Sequence, residues 1–228
     1  MLPTDQDLAA VWLTLKLAGA TTALLLLLGT PLAWWLAHTR CRFKVTIEAL
    51  VALPLVLPPT VLGFYLLLAF APDGVLGAPW QWLTGSGLAF TFTGLLIGSM
   101  LYSLPFVVQP LQSGFEQLDK GLLQAAATLG AGRLARFRRL VLPLCKRSVL
   151  TAITLGFTHT LGEFGVVLMI GGNIPGSTQV LSIVLYDQVE TLDYARAHWL
   201  AGGLLLFSLL TLLLLYTTLR RRPLEVMP

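Results

Sequence analysis

The stretch LAGATTALLLLLGTPLAWWLA, residues 17–37, contains no Asp, Glu, Lys or Arg. A helix of roughly 20 apolar residues crosses a bilayer core about 30 Å thick, so this stretch is long enough to span a membrane. Four more stretches of similar length lack those four residue types, apart from Glu163 in the third: 49–71, 88–114, 148–172 and 197–219. Hydrocarbon cannot hydrogen-bond the backbone, and barrel strands are only about 10 residues long, so each stretch should be helical. We predict an all-α, polytopic membrane protein with about five transmembrane helices.

The composition also indicates a membrane protein. Of the 228 residues, 56% are hydrophobic and only 11% are charged, and the mean hydropathy is +0.79. A soluble domain of this length could not bury so much apolar surface. We therefore expect residues 1–228 to form a single transmembrane domain in contact with membrane lipid.

The distribution of positive charge predicts the orientation. Most of the 15 Lys and Arg residues lie between spans one and two, between spans three and four, or after span five: Arg40, Arg42, Lys44, Lys120, Arg133, Arg136, Arg138, Arg139, Lys146, Arg147, Arg220, Arg221 and Arg222. Because cytoplasmic loops are enriched in Lys and Arg, we expect the N-terminus outside and the C-terminus inside. This distribution accounts for the formal net charge of +4, so we expect no nucleic-acid partner.

The two cysteines do not indicate a disulfide or a metal site. Cys41 and Cys145 both fall on the predicted cytoplasmic side, where thiols stay reduced. Two cysteines without a neighbouring histidine cluster are too few for a structural zinc site. We expect ordinary packing for both residues, no metal site, and no directly bound cofactor.

The loop between spans three and four reads FEQLDKGLLQAAATLGAGRLARFRRLVLP over residues 115–143. Its first half has a helical composition, with Leu122, Leu123 and Ala126 at helical spacing, and Gly130 is a typical helix stop. We predict a short helix over 118–130 that lies parallel to the membrane. A simpler interpretation also stays open, in which this is a basic loop that only fixes the orientation of the protein.

This loop resembles the cytoplasmic signature of ABC importer permeases, which runs Glu-Ala-Ala, three residues, Gly, nine residues, an aliphatic residue, one more residue, then Leu-Pro. The matching residues are Gln124, Ala125, Ala126, Gly130, Leu140, Leu142 and Pro143. Gln124 replaces the usual Glu, which keeps hydrogen-bonding ability but removes the charge. The resemblance implies that 118–130 is a cytoplasmic coupling helix, which docks in a groove of an ATPase subunit and transmits its motion.

A second stretch narrows the resemblance. Residues 158–178 read THTLGEFGVVLMIGGNIPGST, which is similar to molybdate-type permeases and, more loosely, to their sulfate and thiosulfate relatives. The resemblance implies an importer of molybdate or a similar oxyanion in the cell inner membrane, working by alternating access. It also implies the partners: a second permease copy, two ATP-binding cassette subunits, and an extracytoplasmic anion-binding protein.

The sequence contains no ATPase motif of its own. None of its four lysines, Lys16, Lys44, Lys120 and Lys146, follows glycine in the pattern of a phosphate-binding loop. We therefore expect a transport subunit and not an enzyme, with ATP used by a partner subunit. The motifs H-E-x-x-H and G-x-S-x-G are also missing from the sequence, which disfavours an intramembrane enzyme.

The fourth span holds the candidate residues of the translocation pathway. Glu163 is an acid at membrane depth, where a charge costs at least about 2.5 kcal/mol, so it is a functional candidate. The other candidates are the hydroxyl-bearing Thr151, Thr154 and Thr158, together with His159. Structural roles are also open, because threonines in helices often bond their own backbone and Glu163 could pair with His159 or a neighbouring helix.

A gradient-driven secondary transporter is the alternative function. A proton relay normally needs a chain of ionisable groups, and the spans offer at most three: His159, Glu163 and His198. The spans also offer no Lys or Arg that could neutralise a dianion, so the cavity should be wet and bind its cargo weakly. These features favour an external energy source.

Overall fold

A computed structural model describes residues 4–219, and within that range the chain is helical, without a β-strand. The helices are α1 Asp5–His38, α2 Lys44–Ala52, α3 Pro59–Phe70, α4 Gly77–Thr84, α5 Phe92–Glu116, α6 Lys120–Thr128, α7 Arg133–Arg136, α8 Leu142–Leu144, α9 Lys146–Leu161, α10 Gly165–Gly171, α11 Leu181–Glu190 and α12 Tyr194–Leu219. A 3-10 turn, Leu53–Leu55, follows α2, and a π-helical turn, Phe137–Val141, joins α7 to α8. Arg220, Arg221 and Arg222, which contributed to the predicted orientation, lie outside the described residues.

Three helices, α1, α5 and α12, are each long and apolar enough to cross a membrane. Two bent pairs of helical segments bring the number of candidate spans to five in the described part of the chain, if each pair counts as one span. The pairs are Lys44–Leu55 with Pro59–Phe70 and Arg133–Leu144 with Lys146–Leu161. The predicted all-α membrane architecture with about five spans is confirmed.

The second predicted span is broken at its prolines. Its two segments meet at 110°, with Pro54 in the 3-10 turn and Pro59 at the first position of α3. Pro58 has φ −55° and ψ 136°, so the backbone leaves the helical region just before Pro59. This is the expected effect of proline, which removes a backbone donor and disfavours helical geometry in the residue before it.

The fourth predicted span, 148–172, is not one continuous helix. Helix α9 ends at Leu161 and α10 begins only at Gly165. Phe164, with φ −129° and ψ −57°, interrupts the helical backbone between two glycines, Gly162 and Gly165. The stretch 148–172 was predicted as one span because it is long enough to cross a bilayer and contains a single charged residue, Glu163.

Helices α1, α5 and α9 form the centre of the bundle. Small residues allow them to approach closely: a Cβ on Gly29 would lie 3.3 Å from a Val108 methyl, and one on Gly156 would lie 2.6 Å from a Val107 methyl. A Cβ on Gly98 of α5 would collide with Ile170 of α10. In the Gly94–Gly98 pair of α5, Gly98 therefore allows close contact between α5 and α10 within this chain.

The bundle has two chemically different ends. The end that carries the last turn of α1, helix α6 and the Arg-rich segment 133–147 is called the basic end. The opposite end, which carries Asp7, Asp187 and Asp193, is called the acidic end. A buried cluster that includes Val107, Phe115 and Val141 lies toward the basic end. A second cluster, which includes Phe70 and Ile170, lies toward the acidic end.

Candidate coupling and translocation site

Helix α6 has a defined start and a defined stop. Asp119 is its N-cap, and its Oδ1 accepts a hydrogen bond from Gly121 N at 2.7 Å. At the other end, Gly130 N donates to Ala127 O and Ala131 N donates to Ala126 O, both at 3.0 Å. This pair of bonds is a Schellman motif, which requires a left-handed residue, and Gly130 has φ +80°. The helix is shorter than the predicted 118–130, with Gly130 as its terminating residue.

Most of α6 is solvent-exposed. Leu123 packs onto the buried cluster at the basic end, whereas Leu122 is 43% exposed and Leu129, just after the helix, is 88% exposed. Gln124 and Ala125 are also exposed. An exposed face of leucine and alanine at one end of a membrane bundle is suited to contact with another protein, because small side chains permit close approach.

One arginine ties α6 to the segment that follows it. Arg136 Nη1 donates to the carbonyl oxygen of Leu123 at 3.3 Å. Below it, the Trp34 ring contacts Phe115 and Phe137 edge-on, with ring centroids 5.2 Å and 5.9 Å apart. The hydrogen bond from Arg136 therefore attaches the inner side of α6 to the segment that packs on the bundle.

The other two motif residues lie outside α6. Leu142 and Pro143 belong to the short helix α8, which precedes the turn at Cys145 and the start of α9. Leu142 is half-buried and Pro143 is exposed. The helical segment 133–144 meets α9 at 76°, so Leu142 and Pro143 lie next to a bend. The other four motif residues, Gln124, Ala125, Ala126 and Gly130, lie together on α6 and its C-terminal cap.

A polar cluster joins α5 to the end of α9. The Ser103 hydroxyl lies 2.9 Å from His159 Nδ1 and 3.0 Å from Thr160 Oγ1. The His159 ring stacks on Phe106 with centroids 3.9 Å apart, and it lies 4.7 Å from the ring of Tyr102. His159 is therefore held by a hydroxyl and two aromatic rings of α5.

Glu163 lies in the break between α9 and α10 and is only 4% exposed. Neither of its carboxyl oxygens has a hydrogen-bond partner among residues 4–219. The side chain of Ser99 on α5 lies beside it, and the Ser99 hydroxyl also lacks a bond of good geometry within that range. His159 bonds Ser103 and not Glu163, so the suggested His159–Glu163 pair does not form.

The candidate threonines make no hydrogen bond to Glu163 among residues 4–219. Thr158 Oγ1 donates to the carbonyl oxygen of Thr154 at 2.7 Å, which is the backbone bond commonly made by threonine in a helix. Thr151 and Thr154 are half-buried on α9. Two residues that sequence reasoning missed contact the candidates: Ser103 bonds His159, and Ser99 lies beside Glu163. Their spacing of four residues on an apolar helix was the available signal, because it places both on one face.

The family model for the inner membrane component of binding-protein-dependent transport systems matches residues 29–222. The molybdenum transport system permease protein of Azotobacter vinelandii is 56% identical over 216 residues, which cover 95% of this chain and 96% of that protein. The sulfate transport system permease protein of Salmonella typhimurium is 36% identical over 209 residues, covering 91% of this chain and 74% of that protein.

Solved structures of bacterial transporters share the fold. A bacterial ABC transporter involved in alginate import matches with a TM-score of 0.72 at 16% identity, covering 94% of this chain and 78% of that chain. The methionine ABC transporter in an inward-facing conformation matches with a TM-score of 0.69 at 16% identity, covering 92% of each chain. The family model covers most of the chain, and the Azotobacter relative covers nearly all of it. The chain therefore belongs to the family of binding-protein-dependent transport system inner membrane components, the permease subunits of ABC importers.

Proposed function

We propose that this permease forms the translocation path for molybdate or a similar oxyanion in an ATP-driven importer. The observation that carries the cargo assignment is the 56% identity, over nearly the full length of both proteins, to a molybdenum transport permease. Sulfate permeases are similar at lower identity, 33% to 36% in two of them. Both cargoes are tetrahedral dianions, and the higher identity favours molybdate.

Energy enters through α6, which acts as the coupling helix. Its exposed Leu122, Gln124 and Ala125 form the docking face, and the Gly130 cap sets where that face ends. Since Gln124 is uncharged, contact with the ATPase rests on packing and neutral hydrogen bonds at this position. Leu142 and Pro143, at the bend before α9, relay movement of α6 into the membrane segment.

The assembly contains two permease copies, two ATP-binding cassette subunits and an extracytoplasmic anion-binding protein. One of the structurally similar transporters was solved with its oligosaccharide-bound periplasmic protein, which supports a binding protein at the acidic end here. The basic end faces the cytoplasm of a cell inner membrane, with the N-terminus outside and the C-terminus inside, because positive loops remain on the cytoplasmic side.

Alternating access uses the breaks in the second and fourth predicted spans. A broken helix gives a packed bundle a place where segments can rotate without unfolding. Thr151, Thr154, Thr158 and His159 contribute polar groups along the path on α9. An ionised Glu163 would repel an anion, so we assign it a conformational role in the path: a carboxyl without a partner in this conformation gains one in another.

The family assignment does not favour the gradient-driven alternative, and one experiment separates the two. The permease, co-expressed with the ATPase and binding protein of its own transport system, is reconstituted in proteoliposomes with labelled molybdate outside. We expect uptake that requires ATP inside, requires the binding protein, and is insensitive to a protonophore. Uptake that follows a pH gradient without ATP would overturn the proposal. Equal competition by excess sulfate would overturn the assignment of molybdate as the preferred cargo.

A further inference from the structure

Two adjoining cavities lie at the basic end, beside the last turns of α1. The first, named the basic pocket, has a volume of about 600 Å³. Its lining residues are Trp34, Leu123, Arg133, Leu134, Arg136, Phe137 and Val141. The second, named the apolar groove, has a volume of about 490 Å³. It runs along α1 past Leu26, Leu27 and Pro31, and Trp34 and Phe137 line both cavities.

The basic pocket carries positive charge without a neutralising acid. Arg133 and Arg136 line it, and none of its described lining residues is Asp or Glu. The Arg136 guanidinium uses Nη1 to hold the Leu123 carbonyl, but its Nε is buried and has no acceptor within residues 4–219. A buried donor without an acceptor is unfavourable. An anionic group in the pocket would supply that acceptor and neutralise the guanidinium.

The apolar groove has the opposite chemistry. Its lining residues come from α1, α5, α8, α9 and the π-helical turn, and none carries a charge. Thr30 is its only residue with a polar side chain, apart from the indole nitrogen of Trp34. The Trp34 and Phe137 rings lie between the charged and the apolar cavity, and tryptophan is enriched at the boundary between headgroups and hydrocarbon in membranes.

We propose that the two cavities together bind one acidic phospholipid. Its phosphate lies in the basic pocket against Arg133 and Arg136, and one acyl chain lies in the apolar groove behind Trp34 and Phe137. Basic pockets between membrane helices are known to select anionic headgroups. The continuity of a charged pocket with an uncharged groove favours a lipid over a free phosphate, which has no use for the groove. This site is separate from the cargo path and from the exposed face of α6.

The contact between Arg136 and Leu123 places this lipid next to the coupling helix. A headgroup bound to the same guanidinium fixes the Arg136 side chain, which already holds the backbone of α6. Acidic lipid should therefore order the attachment of α6 to the bundle.

Native mass spectrometry of the full-length chain in detergent, as the purified transporter complex, tests the proposal. The probes are palmitoyl-oleoyl phosphatidylglycerol and the matching phosphatidylethanolamine. The test variant is Arg133→Gln with Arg136→Gln. The matched control is Arg138→Gln with Arg139→Gln, which removes the same charge from the same segment at exposed positions outside the pocket. Glycerol phosphate, the headgroup without acyl chains, serves as a competitor.

We expect phosphatidylglycerol to bind the unaltered protein and the control, and to bind the test variant at least about tenfold more weakly, since each charged hydrogen bond contributes substantially. Phosphatidylethanolamine should bind weakly to all three. Equal binding of both lipids, or equal loss in the control, would overturn the proposal. Displacement by glycerol phosphate would overturn the choice of a lipid. Arg133→Gln alone, at a solvent-exposed residue of the pocket lining, gives the same comparison if the double variant does not fold.

Discussion

Arg196, near the start of α12, donates from Nη2 to Oδ1 of Asp7 on α1 at 2.8 Å and from Nε to Oδ2 at 3.2 Å. The same Nη2 also donates to Thr4 Oγ1 at 2.6 Å. This fork joins the first and last helices of the described residues at the acidic end. Asp7 is only 2% exposed. In contrast, only 6% of the residues in the most apolar stretch of α12 are buried in the bundle. The ion pair therefore attaches the start of α12 to α1.

Arg196→Gln should destabilise the protein by about 2 kcal/mol, because it leaves the buried Asp7 without its counter-ion. The value is below that of a fully buried pair because the Arg196 side chain is 25% exposed. Thermal unfolding in detergent measures the change. The double variant with Asp7→Asn should recover part of the loss, as expected for coupled residues. If the two single changes simply add, Arg196 and Asp7 do not stabilise α12 through each other.

Gly130→Asp should leave membrane insertion normal and strongly reduce ATP-driven uptake. Any side chain at the left-handed φ of +80° costs roughly 1–2 kcal/mol, which disrupts the cap of α6. Gly130→Asn should be milder, because Asn is the residue that sometimes replaces Gly at this cap position. Gly132→Ala is the control, since Gly132 has φ −61° and open space around it. Uptake that is unchanged in Gly130→Asp would contradict the role of α6 in coupling.

Glu163→Gln should keep the fold and lower uptake by roughly tenfold, the scale of a typical coupling free energy between states. The amide preserves size, and the present conformation offers the carboxyl no bond to lose among the described residues. Thermal unfolding and molybdate uptake are measured on the same preparation. Full uptake in this variant would mean that the acid is only a packing element at the break.

Ser103→Ala should destabilise the protein by about 1–3 kcal/mol, because His159 and Thr160 both lose the hydroxyl that they share in a buried site. Ser113→Ala is the matched control on the same helix, where the hydroxyl is exposed and accepts only from Gln117. The difference between the two melting temperatures reports on the polar cluster. Equal melting temperatures would show that α5 and α9 do not depend on it.

Hydropathy located the first, third and fifth predicted spans as single helices, because a long apolar run in lipid is stable as a helix, whereas the second and fourth predicted spans are each broken. The short helices α4 and α11 were not predicted, since neither is long enough to span a membrane and both lie between clearer signals. The end of α6 could be predicted at Gly130, because a Schellman motif needs one residue in the left-handed conformation and glycine adopts it without strain.

Part of the candidate site could likewise be predicted from the sequence, and part could not. Gln124, Ala125, Ala126 and Gly130 could be assigned by spacing along one helix, but the partners of His159 and Glu163 could not. Ser99 and Ser103 are separated from them by about 60 residues in the sequence, and the rotation of α5 about its own axis decides that both face α9. That rotation follows from side-chain packing between helices, such as Gly98 against Ile170.

Residue order alone was sufficient for what depends on neighbours along the chain: membrane class, approximate spans, the short helix α6 and its glycine stop. Tertiary packing decided what depends on distant segments: the break at Glu163, the His159–Ser103 pair, the Asp7–Arg196 fork and the cavities beside Trp34. The physical reason is that lipid constrains every backbone hydrogen bond to its own helix, whereas nothing within a helix specifies which of its faces meets another.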